Sequence, residues 1–417
     1  MKNRMKFNIA INKLFINFSE YFLLILIIID CNTVYRHILG KPIVPQIWNY
    51  ILLITCIIII LKDKKQIKKY SYNIFRVILY NSLVMALIFI PQYDIILYTR
   101  LFLLFFPLSI ILILQDINSD NKFNMFFKFE NIVLILAISS ISFWILGSLL
   151  SFIKPNISIP VTWNNGDLYS GIYGLCFQYK PQNEIIPFLN IKVLRNIGIF
   201  TESLMFDIIL LIGLYTELFL KIRSKIFKLI ILSLTILSTF GTLGIILMLF
   251  GYLLKLILYF ENIKQYKKIC TFLLIMILFV IGCLLFNKKV NGFGSFSTHL
   301  DDYIAGIKAW KTSPLIGTGF NNYDIIRKYM NPIRGNNLGT SNSLTDVLAQ
   351  GGIFMLVIYL YPFYSAILSY KKDKKFFLWS LAPFTLFIVT IYHLTFLIFF
   401  IHAFCLAYSW SLRENYS

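Results

Sequence analysis

The chain has 417 residues, 58% hydrophobic and only 14% charged, far from the balance of a soluble globular protein. Its formal charge of +20 at neutral pH sits in short connectors, at Lys2 to Lys13, Lys62 to Lys69, Lys221 to Lys228, Lys264 to Lys268 and Lys371 to Lys375. These form no face for nucleic acid. As alternate connectors they follow the positive-inside pattern, which puts both termini in the cytoplasm.

Apolar runs of membrane-crossing length recur from end to end. The first, near Tyr21 to Leu39, lacks a small-residue cleavage site and reads as a retained helix rather than a signal peptide. Spans are expected near 19–39, 43–61, 71–90, 95–114, 131–153, 203–220, 226–240, 241–260, 269–286, 342–369, 376–392 and 394–410. The run 226–260 is too long for one crossing, and Thr239 to Gly244 offers a turn. The fold class is therefore an all-α polytopic membrane protein of about 12 transmembrane helices, with 1–417 a single integral membrane domain.

Asp30, Arg76, Arg100, Asp207, Glu217 and Lys255 are charged residues inside spans, where a partner or an aqueous cavity is normally required. Arg100 and Asp207 lie at similar depth and are placed to pair. Glu217 and Lys255, near cytoplasmic ends, are expected at the interface.

Two long connectors, 154–202 and 287–341, face away from the cytoplasm. The first carries Trp163, Tyr169, Tyr173 and Phe177 and is too aromatic for simple disorder. Both are expected to pack over the outer mouth of the bundle. Six cysteines form no CxxC or Cys/His cluster, so no disulfide framework, metal site or cofactor is implied.

Three stretches carry candidate chemistry. R-N-I-G-I-F-T-E-S, Arg195 to Ser203, sets a cation and a carboxylate, Glu202, at a helix start, where an anion such as a lipid diphosphate is favoured. Headgroup contact for Arg195 and an ordinary helix-start charge for Glu202 are the plain alternatives. H-L-D-D-Y-I-A-G-I-K-A-W, His299 to Trp310, has Ile304, Ile307 and Trp310 at helical spacing and reads as an amphipathic interfacial helix, with Thr298 as N-cap. His299, Asp301 or Asp302 could deprotonate a sugar hydroxyl, or the aspartates could only cap the helix. G-T-G-F-N-N-Y, Gly317 to Tyr323, offers a tight turn with sugar-binding amides at Asn321 and Asn322, and lacks the spacing of a nucleotide loop. Arg327, Lys328 and Arg334 follow, basic residues on the outside that suit an anionic substrate or a segment too long for the charge rule. Last, T-S-N-S-L-T-D-V-L-A-Q-G-G-I-F, Thr340 to Phe354, enters a helix that Ser341 or Asn342 can cap.

The order of these motifs resembles the O-antigen ligase and polymerase superfamily: Arg-x-x-Gly-x-Phe-x-Glu before a span, Pro-x-x-Gly-x-Gly-Phe, then Ser-Asn followed by Gly-Gly. It is most similar to the Wzy-type polymerases of capsule, exopolysaccharide and O-antigen. The resemblance implies a metal-independent membrane glycosyltransferase of GT-C-like helical architecture on the outer face of the bacterial plasma membrane. It would join undecaprenyl-diphosphate-linked repeat units, with a flippase and a chain-length regulator of the same pathway as partners. Arg195 would bind the diphosphate with Arg327 or Arg334, and Asn321, Asn322, Tyr323 and Asn342 the sugars. His299, Asp301, Asp302 and Glu202 are the candidate catalytic groups. Two residues depart from the pattern. Ser341 stands where ligases have His before Asn342, and Thr298, His299 and Leu300 stand where polymerases often carry an arginine before the Asp-Asp pair. A ligase-type transferase or a lipid-linked oligosaccharide flippase are the alternatives.

Overall fold

The computed structural model describes residues 2–38, 44–62, 71–89, 99–117, 122–161, 167–180, 183–186, 191–260, 295–334 and 338–414. Helices α1 (Lys2–Asp30), α2 (Val34–Ile38), α3 (Val44–Lys62), α4 (Ser71–Phe89), α5 (Thr99–Ile117) and α6 (Asn124–Leu149) precede the first long connector. Helices α7 (Ser203–Leu220), α8 (Ile226–Ser238) and α9 (Thr242–Phe260) follow it. The chain continues through α10 (Ser295–Trp310), α11 (Tyr323–Arg327), α12 (Ser343–Leu368), α13 (Lys374–Val389) and α14 (Phe396–Glu414).

Six helices among the described residues are long and apolar enough to cross a membrane: α5, α6, α7, α9, α12 and α14. Shorter apolar stretches lie in α3, α4 and α8. The expected span at 269–286 falls outside the described residues. Helix α7 is apolar on every side, as a helix enclosed by others must be. It is almost wholly buried among α6, α8, α9 and α13. Helix α14 packs along α5 and α12. The outer helix faces expose Phe75, Ile78, Ile135, Leu234 and Val357, a surface suited to hydrocarbon rather than water.

The run 226–260 divides where expected, with Phe240 at φ 52 between α8 and α9. The first expected helix starts and stops earlier than 19–39. It ends at Asp30, whose Oδ2 accepts from the backbone N of Phe396 at 3.1 Å while Arg36 pairs with it at 3.4 Å. Asp30 thereby ties α1 to the start of α14.

The all-α expectation is corrected in the first long connector. Strands β1 (Ile157–Pro160), β2 (Leu168–Ile172) and β3 (Cys176–Tyr179) form an antiparallel sheet, and β4 (Asn183–Ile186) pairs with β5 (Ile191–Leu194). Alternation over four or five residues is a weak sequence signal, and here it is obscured by turns. Tyr173 and Gly174, both at positive φ, close the β2–β3 turn. Tyr169, Phe177 and Tyr179 then make a small core with Val34, Val161 and Ile197.

The charged residues within spans also depart from expectation. Asp207 accepts from Thr239 Oγ1 at 2.8 Å and faces Arg195, whereas Arg100 lies 5.8 Å over the Tyr50 ring. Gly241 and Gly244 make room for the Asp207 carboxylate; a Cβ on Gly244 would lie 2.5 Å from it. Glu217 is fully buried rather than interfacial, with Lys221 at 2.6 Å, next to a Lys228–Glu130 pair at 2.8 Å. A buried carboxylate needs such partners.

Candidate functional site

Helix α12 is two half-helices. Gly352, at φ 66 and ψ −172, breaks it one turn below the polar N-terminal segment. The break leaves backbone groups that need partners, and the stretch 314–319 supplies them. Thr318 N donates to Ala349 O at 3.1 Å, Gly319 N to Gln350 O at 2.9 Å and Ile353 N to Pro314 O at 3.0 Å. Both chains require glycine at this crossing. A Cβ on Gly317 would lie 2.2 Å from Gln350 O, and one on Gly352 would lie 2.3 Å from Leu315 O. Both glycines also have positive φ. The Gly-Thr-Gly loop and the Gly-Gly helix step are thus two sides of one joint.

Above the joint, α10 lies along the first half of α12. The helix begins at Ser295, a turn earlier than expected, so Thr298 is inside it rather than at its cap. Its inner face is small: Ala305 and Ala309 are buried, and a Cβ on Gly306 would lie 2.6 Å from Thr345. Leu300, Ile304 and Ile307 point outward and are exposed, as an interfacial helix requires.

That close packing carries Asp302 to the start of α12. Asp302 is 1% exposed, and its Oδ1 accepts from Arg334 Nη1 at 2.6 Å. The same nitrogen lies 3.2 Å from Asp301 Oδ2, and Arg334 Nη2 donates to Gly339 O at 2.8 Å. Asp301 Oδ2 also accepts from Asn331 N at 3.0 Å. Asn342 caps α12, its Oδ1 accepting from Thr345 N at 2.9 Å and from Thr345 Oγ1 at 2.8 Å. Ser343 anchors the helix start to the turn at 390–393, donating to Thr390 O at 2.7 Å and accepting from the backbone N of Tyr392 and of His393.

Three buried polar atoms at this helix end have no hydrogen-bond partner among the described residues: Asp302 Oδ2, Ser341 Oγ and Asn342 Nδ2. Such atoms are costly unless something polar meets them. They offer acceptors and donors together, the complement of a hydroxyl-bearing ligand.

The remaining expected site residues are placed as follows. His299 is half-buried on α10, one turn before Asp302. Tyr323 lies near Asp346, and burial first, then the Asp346 charge, push its phenol above the ordinary range. Asn321, at φ 60, donates its backbone N to Gln350 Oε1 at 2.8 Å, and Asn322 Nδ2 donates to Thr318 O at 3.1 Å. Both support the loop's shape. Arg327 is exposed and pairs with exposed Asp324 at 3.0 Å. Arg195 and Glu202 belong to a second cluster, where the 196–201 segment is held by Asn196 N to Ser238 O at 3.0 Å, Thr201 N to Asn32 O at 3.1 Å and Phe177 N to Gly198 O at 2.7 Å. Burial raises the Glu202 carboxyl above its usual range, and the Arg195 charge opposes this.

Asp346 was not anticipated. It is 1% exposed, accepts from Thr340 Oγ1 at 2.6 Å, and lies close enough to Asp302 for their charges to interact. The signal was present in the spacing: Asn342, Asp346 and Gln350 recur every four residues, a polar stripe on an otherwise apolar helix.

Residues 227–360 match the family model described as O-Antigen ligase. The matched segment runs from α8 to the middle of α12 and contains the joint, the aspartate pair and Arg334; Arg195 lies before it. No curated protein matches the chain. With its apolar helices and this match, the chain is a polytopic membrane protein that over residues 227–360 is similar to the O-antigen ligase family.

Proposed function

We propose that this protein is a repeat-unit polymerase that joins undecaprenyl-diphosphate-linked oligosaccharides on the outer face of the bacterial plasma membrane. The observation that carries the reading is the set of unsatisfied buried atoms, Asp302 Oδ2, Ser341 Oγ and Asn342 Nδ2, at the start of a broken membrane helix. They favour a neutral, hydroxyl-rich sugar. The acidic neighbours Asp301, Asp302 and Asp346 disfavour a diphosphate at the same spot. The diphosphate is therefore assigned to the Arg195 cluster, with exposed Arg327 as the outer cation, while Arg334 organises the aspartates. An acceptor hydroxyl attacks the donor's anomeric carbon, and the lipid diphosphate leaves with its developing charge against Arg195. His299, Asn321, Asn322 and Tyr323 border the acceptor side.

The ligase reading remains a second proposal, favoured by the description of the matching family. Ser341 in place of a histidine before Asn342 supports the polymerase. The two are separated by offering purified protein a lipid-linked repeat unit together with a finished, differently labelled acceptor glycan. The polymerase forms a ladder of repeat units; exclusive transfer of one unit or one chain to the finished acceptor would sink that reading in favour of the ligase.

A further inference from the structure

The sugar side of the site holds two buried carboxylates in unlike settings. Asp302 has Arg334 Nη1 2.6 Å from Oδ1. Asp346 has a hydroxyl, Thr340 Oγ1 at 2.6 Å, and no ion pair among the described residues. A carboxylate held by a guanidinium is fixed in place with its acceptor sites already engaged. Among the described residues Asp346 is supported by a hydroxyl alone, and unlike settings of two neighbouring acids commonly assign their roles. The unsatisfied atoms of Asp302, Ser341 and Asn342 lie at the helix end that also carries Asp346, one helical turn beyond Asn342.

We propose that Asp346 is the general base of the transfer and that Asp302, held by Arg334, is a positioning residue that orients the acceptor hydroxyl beside it. This rests on the reading of the chain as a glycosyltransferase. In the step, the acceptor O–H bond breaks and its proton passes to Asp346. The oxygen's electron pair forms the bond to the anomeric carbon, and the anomeric C–O bond to the diphosphate breaks with its pair on the leaving oxygen. Asp346 becomes neutral as the leaving diphosphate gains one negative charge, and it returns its proton to solvent between turnovers.

The elements packed against this end of α12 carry the titratable or charged groups His299, Asp301, Asp302, Tyr303 and Lys308 on α10, Tyr323, Asp324 and Arg327 on α11, Arg334 in the loop and His393 in the turn that anchors Ser343. The test is the pH dependence of initial rates with full-length protein in lipid and a lipid-diphosphate-linked repeat unit. Asp346→Asn lowers the plateau rate about a hundredfold and removes the acid limb. Asp302→Asn removes the neighbouring charge and moves the acid limb about one pH unit lower. Thr340→Val removes the donor that favours ionised Asp346 and moves the limb the opposite way, to higher pH, which keeps the test available if either aspartate variant fails to fold. A wild-type rate in Asp346→Asn, or limbs of Asp302→Asn and Thr340→Val that superpose on the wild type, overturns the assignment. A wild-type protein that makes no glycosidic product at any pH refutes the underlying reading of the chain instead.

Discussion

At the residue scale, the two arginines that follow the Gly-Thr-Gly loop differ in what their loss exposes. Removing Arg334 leaves Asp302 buried without its cation, a defect that costs about 3–5 kcal/mol when a buried pair is broken from one side. Arg327 shares its charge with exposed Asp324, and an exposed pair contributes about 0–1 kcal/mol. Arg334→Ala is therefore expected to lower the thermal unfolding midpoint of the solubilised protein clearly, with Arg327→Ala close to wild type. Equal midpoints would contradict the role given to the buried pair. Asp301, Asp302 and Arg334 were each visible in the sequence as candidates, but the ion pair of Asp302 with Arg334 was not, because it spans 32 residues and depends on where α10 lies. Asp346 was overlooked for a different reason: in a capping segment an acid near a helix start has an ordinary electrostatic explanation.

At the element scale, the joint between the 314–319 loop and the break in α12 fixes the register of the site. Gly317→Ala places a methyl group against the backbone at Gln350, which cannot swing aside as a side chain could. A Cβ on Gly339 would meet no atom within 4 Å. Gly317→Ala should abolish activity and open the 314–319 and 349–353 amides to hydrogen exchange, whereas Gly339→Ala should leave both as in wild type. Protection preserved in Gly317→Ala would mean that the joint is not held as described. Both glycine motifs stood out in the sequence, and only the fold shows that they need each other. The amphipathic character of α10 was legible from Ile304 and Ile307, which do face outward. The strands around Tyr169 and Phe177 were not, since aromatic content indicated folding without indicating which kind.

At the scale of the whole molecule, apolar exteriors around a core centred on α7 and α14 account for the composition. The turn between α8 and α9 was readable because a single crossing could not contain 226–260. The buried Glu130, Glu217, Lys221 and Lys228 cluster was not, because each residue sits next to a basic connector and looks interfacial in one dimension. Within this frame, 295–334, 338–342 and the first turns of α12 form a polar assembly inside the matched family segment with buried, unsatisfied polar atoms.

That assembly can be located with substrate directly. A lipid-diphosphate-linked repeat unit bearing a photoreactive group on its terminal sugar, cross-linked to the full-length protein and mapped by mass spectrometry, should modify residues within 299–302 and 340–346. Adducts confined to the connectors at 221–225 and 369–373 or to the strands β1, β2 and β3 would contradict the placement of the glycan at the start of α12.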